Sequence, residues 1–156
     1  MRVHANQEGY RVHFATIDLT YCRSACGMET SCGIVLVNFG TILLLQYPQG
    51  HWDFPIDGKT ATTHWRILET CPGMALIEAR LETGRTHQIR RHATQAGHPI
   101  VGDKRYGGGA ARLCKRLALH AYSLKFTHPV SSKTVHITCP MPADLQGLMA
   151  RFGGAQ

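Results

Sequence analysis

The segment Leu81-Glu-Thr-Gly-Arg-Thr-His-Gln-Ile-Arg-Arg-His92 packs three arginines, two histidines and a glutamine into twelve residues. Arg85, Arg90 and Arg91 carry rigid forks of N–H donors that match a phosphate or a carboxylate bidentately. Gly84 permits a sharp exit from a preceding strand, and His87 and Arg91, four apart, share one face of any helix that follows. A solvated helix with ordinary ion pairs would also use arginines, but this density points to anion recognition. Lys104 and Arg105 add a second basic pair downstream, next to Tyr106. Tyr106 and His120 are further candidate ligand contacts that core packing explains at least as readily.

The charge balance agrees. Lys and Arg outnumber Asp and Glu 17 to 10, the formal charge is +7 and the pI is near 9.4. Ten of the seventeen basic residues fall between Arg80 and Lys125, with only Glu82 and Asp103 as acids there. A basic face of this kind suits an anionic partner, nucleic acid first. No apolar run approaches the ~20 residues needed to span a bilayer, so no membrane partner is expected. Six scattered cysteines and the lack of a leader pattern fit a reducing cytoplasm.

The elements that must position these groups read as α+β, mainly an antiparallel mixed sheet with a few short helices. Residues 1–31 show little periodicity and are expected to be irregular. Gly33–Val37 and Thr41–Tyr47 read as a hairpin around Asn38-Phe39-Gly40. Pro48–Gly58, with two prolines and two glycines, reads as a loop. Alternation predicts strands at 62–68 and 77–82. Thr86 is the expected cap of a helix from His87 to Gln95 that ends at Gly97 and Pro99. Leu117–Phe126 and Thr134–Thr138 form a second expected hairpin, and Pro142 starts a helix to about Phe152.

Five stretches in order, Gly-Lys-Thr-Ala-Thr-Thr (58–63), Glu-Thr-Gly-Arg-Thr-His-Gln-Ile-Arg (82–90), Gly-His-Pro-Ile-Val-Gly-Asp-Lys-Arg-Tyr-Gly (97–107), Leu-Ala-Leu-His-Ala (117–121) and Phe-Thr-His-Pro (126–129), resemble the successive signatures of RluA-type pseudouridine synthases. That resemblance covers residues 58–142. It implies cofactor-free isomerisation of uridine in rRNA or tRNA: an aspartate opens the glycosidic bond, and the freed uracil turns and re-attaches through carbon 5. The target base would be flipped out of its stack. By the same resemblance Arg90 pairs with the catalytic aspartate, with a carboxylate oxygen expected roughly 2.7–2.9 Å from its guanidinium. Arg85, His87, Gln88, Arg91, Lys104, Arg105, Tyr106 and His120 would then face RNA.

The family's upstream His-Arg-Leu-Asp motif, which supplies the nucleophile, and its Lys-Thr-Tyr strand do not occur before Gly58. Asp18 is the nearest upstream substitute. In their place Cys32–Pro55 resembles the first hairpin of a Nudix hydrolase without its magnesium-binding box. The expected organisation is therefore an irregular 1–31, a Nudix-like hairpin and junction at 32–57, and a synthase-like domain at 58–156, a hybrid joined near Phe54–Asp57. A non-catalytic RNA-binding module and a Nudix-like nucleotide binder are the alternatives. Zinc ligation by His13, Cys22, Cys26 and Cys32 lacks the usual paired spacing, so no metal is expected.

Overall fold

The computed structural model describes residues 28–38 and 47–153. Most of the segment expected to be irregular, residues 1–27 with Asp18, Cys22 and Cys26, and nearly all of the expected strand at Thr41–Tyr47 lie outside these residues.

Six strands form one sheet in which every pairing is antiparallel. They are β1 (Met28–Asn38), β2 (Gln49–Trp52), β3 (Thr63–Cys71), β4 (Met74–Leu81), β5 (Leu119–Thr127) and β6 (Thr134–Thr138), in the spatial order β2-β3-β4-β1-β5-β6. Among the described residues two helices accompany it, α1 (Gln88–Gln95) and α2 (Ala143–Gly153), together with a 3-10 turn at Gly108–Arg112. The α+β reading therefore holds.

β1 takes a central place because its β-branched run fits burial on a pleated sheet; Val35 is fully buried between β4 and β5, and Val37 is fully buried between β4 and an isolated bridge to Ile100. β3 and β4 are joined by Pro72-Gly73, the proline-then-positive-φ glycine of a type II turn, with Gly73 at φ 76°. Residues directly opposed across antiparallel strands share a face. One face thus carries Val35, Ile77, Ala79 and Thr63, and α1 covers it: Gln88 and His92 both bond Thr63, while Ile89 reaches toward Gly33. Leu145, Leu148 and Met149 of α2 join the same core. The other face carries Ile34, Glu78, Arg66 and His120.

Several boundaries differ from expectation: β3 and β4 run to Cys71 and from Met74, closer to their shared turn than the expected 68 and 77, and three further differences have local causes. β1 begins at Met28 rather than Gly33, because its pairing with β5 shifts register between Met28 and Thr30 and again between Cys32 and Gly33. Such bulges erase the period-2 pattern from which a strand is read. β2 lies inside the stretch read as a loop. It is an edge strand, where the glycine lets the chain lie against the Trp65 ring; a Cβ at Gly50 would sit 2.7 Å from Trp65 Cζ2. Finally, His87 and not Thr86 occupies the cap position of α1, in the left-handed conformation (φ 55°, ψ 30°) with no side-chain cap bond.

Candidate functional site

The chain between β4 and α1 is tied down by Gln88. Its buried amide nitrogen donates to Thr62 O (2.9 Å) and Thr63 Oγ1 (3.0 Å), and its oxygen accepts from Thr83 Oγ1 (2.8 Å) and the Arg85 N–H (2.9 Å). An amide has two donors and two lone pairs, so none remains for a ligand. Gln88, an expected RNA contact, instead fixes the loop that presents Arg85 and His87. Gln88→Ala is expected to cost about 1–3 kcal/mol per buried partner left unsatisfied, measured by urea unfolding.

One turn further on, Arg90 meets Asp103. Arg90 Nε donates to Oδ2 and Nη2 to Oδ1, each at 2.8 Å. The Asp103 side chain is fully buried and Arg90 is 18% exposed. Asp103 Oδ1 also accepts the backbone N–H groups of Arg105 (2.9 Å) and Tyr106 (3.0 Å). Burial alone would raise the Asp103 pKa, but the Arg90 hydrogen bonds, the two N–H groups and the Arg90 charge outweigh it and hold the carboxyl below its ordinary value. The same hydrogen bonds raise the Arg90 pKa. A carboxylate does lie within reach of Arg90, but it is thirteen residues downstream rather than upstream. With four donors on it and no exposure, Asp103 positions Arg90 and presents neither oxygen at the surface. Arg90 keeps Nη1 outside this pair.

Tyr106 completes the cluster. Arg90 Cζ stands 5.0 Å and Arg105 Cζ 5.3 Å from the centre of its ring, cation–π distances. The Tyr106 hydroxyl lies 3.1 Å from His87 Nδ1, with the two rings edge to face. Arg91, on the next position of α1, forms a two-point pair with Asp57 at 2.9 Å, and this hydrogen bonding lowers the Asp57 pKa. Arg85 Nε donates to Thr60 O at 3.0 Å. Lys104 and Arg105 are exposed on the loop that carries Asp103.

Of the residues singled out in the sequence, Arg85, His87, Arg90, Arg91, Arg105 and Tyr106 therefore converge on α1 and its facing loop. His120 does not join them. It sits on β5 opposite Ile34, on the sheet face that α1 does not cover, with Nε2 2.9 Å from Cys139 O. Sequence reasoning missed Asp103, although it is one of two acids in the basic stretch. Among the described residues, no three His, Cys, Asp or Glu side chains cluster as metal ligands, and no helix is long and apolar enough to cross a membrane.

Residues 20–95 match the family model described as RNA pseudouridylate synthase. The match runs through residues 32–55 and across the Phe54–Asp57 junction, so the segment that resembled a Nudix hairpin lies inside it. The chain is 47% identical over 107 residues to "Ribosomal large subunit pseudouridine synthase D" of Xanthomonas campestris pv. campestris, covering 60% of this chain and 32% of the relative. It is 43% identical over 97 residues to an uncharacterized RNA pseudouridine synthase of Bacillus subtilis, covering 61% and 32%. The chain thus spans about a third of the length of these relatives. Among solved structures, "Human RNA Pseudouridylate Synthase Domain Containing 1" superposes with a TM-score of 0.63 at 25% identity, covering 85% of this chain and 62% of that one. "Human RNA Pseudouridylate Synthase Domain Containing 4" shares the fold with a TM-score of 0.62, covering 79% and 62%. In sequence and in fold, then, this chain is related to RNA pseudouridine synthases and carries the fold of pseudouridylate synthase domains.

Proposed function

We propose that this chain acts as an RNA pseudouridine synthase-like protein that binds rRNA or tRNA in the cytoplasm and presents a uridine to the cluster around Arg90. The observation that carries this reading is the clamp itself. Arg90 is fixed by two hydrogen bonds to a buried carboxylate while its Nη1 stays outside the pair. A guanidinium held in this way suits pairing with a second, nucleophilic carboxylate. Arg85, Arg91, Lys104 and Arg105 would neutralise phosphates, which lends affinity without sequence choice. Tyr106, whose hydroxyl lies beside His87, is the aromatic ring of the cluster that an unstacked base would meet.

Isomerisation moves the uracil attachment to carbon 5 and therefore releases the hydrogen there. The test is to incubate the chain with rRNA and tRNA carrying tritium at uridine C5. Release that Arg90→Ala abolishes supports isomerisation. The second reading, an RNA-binding module without catalysis, is favoured by the full engagement of Asp103, the carboxylate that pairs with Arg90. RNA retention with no tritium release from any RNA would decide for it.

In either case affinity is expected to fall steeply with salt. Arg105→Gln with Lys104→Gln, two exposed changes, should make the log–log salt slope shallower by up to about 1.4 for single-stranded RNA if both side chains meet phosphates. Filter binding between 50 and 200 mM salt would measure it.

A further inference from the structure

The sheet face that α1 leaves uncovered carries a groove of about 540 Å³, lined by the side chains of Gln49, His51, His64, Arg66, Glu78 and Arg80 along β2, β3 and β4. Register places these groups in two cross-strand rows. His51, His64 and Arg80 are directly opposed in one, and Gln49, Arg66 and Glu78 in the next. Neighbours within a row stand about 4.5–5.5 Å apart at Cβ, and the rows are about 6.6 Å apart along the strands.

Glu78 is the base of this groove, with a side chain only 10% exposed, while Arg66 and Arg80 are 57% and 59% exposed. Arg66 Nε pairs with Glu78 Oε2, and Arg80 Nε and Nη2 lie 3.4 Å from Oε1. One buried carboxylate therefore anchors two guanidiniums by their inner edges. Their outer edges form the rim, where the positive ends meet solvent and the negative end does not. Beside them the His51 and His64 rings stand 6.2 Å apart and tilted by 49°, with His64 Nε2 2.9 Å from Glu82 Oε2.

Paired outward guanidiniums beside two imidazole rings match the chemistry of single-stranded RNA, whose phosphates take forked donors and whose bases stack on aromatic or imidazole planes. The geometry points to this groove as a second RNA-contact surface, holding a single-stranded segment on the sheet face away from Tyr106. The inference rests on the RNA reading above, and its partner is the part of the RNA that flanks the modified region.

The test compares RNA affinity and its salt slope for the full chain and for the triple variant R66Q/E78Q/R80Q, which removes the buried charge together with both partners. The probe is a single-stranded oligouridylate longer than the α1 cluster can span. Affinity should fall on the order of tenfold and the slope become shallower by about 1.4, the value for two lost phosphate contacts. An affinity and slope equal to those of the unaltered chain would overturn the groove while leaving the RNA reading standing. An unaltered chain that retains no RNA would overturn both. Should the triple variant fail to fold, the exposed His51→Ala supplies the test through lost stacking. It should weaken binding, His51→Phe should restore it, and equal affinity for all three proteins would overturn the inference.

Discussion

Arg90→Ala is expected to cost about 3–5 kcal/mol of stability, because it strands the Asp103 carboxylate in the interior without its cationic partner. The two backbone N–H groups of Arg105 and Tyr106 remain, but neither cancels the charge. Tyr106 also loses one of its two flanking guanidiniums. The pH dependence makes the cause identifiable. In the unaltered chain the folded pKa of Asp103 lies below its ordinary value. The pair therefore contributes stability that is fully present above the unfolded carboxyl pKa of about 3.9 and is lost as pH falls through the folded value. Without Arg90, burial is the largest remaining influence on Asp103 and raises its pKa, so acidification is expected to relieve the variant. The stability difference between the two proteins should shrink as pH falls from 7 toward 4. Urea unfolding at several pH values reads it directly; a difference independent of pH would mean that Asp103 is not the group affected.

Gly102→Ala is expected to have the second large effect. Gly102 stands at φ 73°, and a Cβ there would lie 1.8 Å from the carbonyl oxygen of Arg116, a backbone atom that no side-chain adjustment can move. Gly107 meets a milder version of the same obstacle, with its Cβ 2.3 Å from Asp103 O. These two glycines bracket Asp103 and allow its loop to fold back so that the carboxylate reaches Arg90. A loss of more than about 4 kcal/mol, or failure to fold, is expected for Gly102→Ala. Gly73→Ala is the control. It has a similar positive φ of 76° but nothing within 4 Å of its would-be Cβ, so only the left-handed cost of about 1–2 kcal/mol applies. Thermal melts of the two variants should therefore differ widely. Similar melting temperatures would mean that the loop can open at Arg116.

Which features were legible follows from how local their causes are. The β5 and β6 hairpin and the helix after Pro142 were readable because alternation, turn residues and proline act within a few positions. The start of β1 was not, since two register shifts break the alternation before Gly33. β2 was hidden by its glycine and flanking prolines, which an edge strand tolerates and a central strand does not. The cap of α1 was misplaced by one residue. There His87 enters the helix in the left-handed conformation without a side-chain cap bond, while Gln88 fixes the preceding loop through the Arg85 N–H and through Thr62 and Thr63.

The candidate site divides in the same way. Its arginines, His87 and Tyr106 stand out by density and type. Asp103 as the mate of Arg90 depends on a loop closing across thirteen residues, and Gln88 changes from ligand contact to internal strut once both ends of its amide are engaged. Charge counting held a usable clue to the first: one of only two acids in a basic stretch requires a partner when buried. No such clue placed His120 on the opposite sheet face, because that depends on the register of β5 against β1.

The most direct test is photo-crosslinking of the full chain to rRNA fragments carrying 4-thiouridine, with the attached peptides identified by mass spectrometry. The expected result is attachment within residues 85–106, at His87 or Tyr106, diminished by Arg90→Ala in protein that remains folded. Efficient crosslinking that never falls in that segment would contradict the assignment of uridine to the Arg90 cluster.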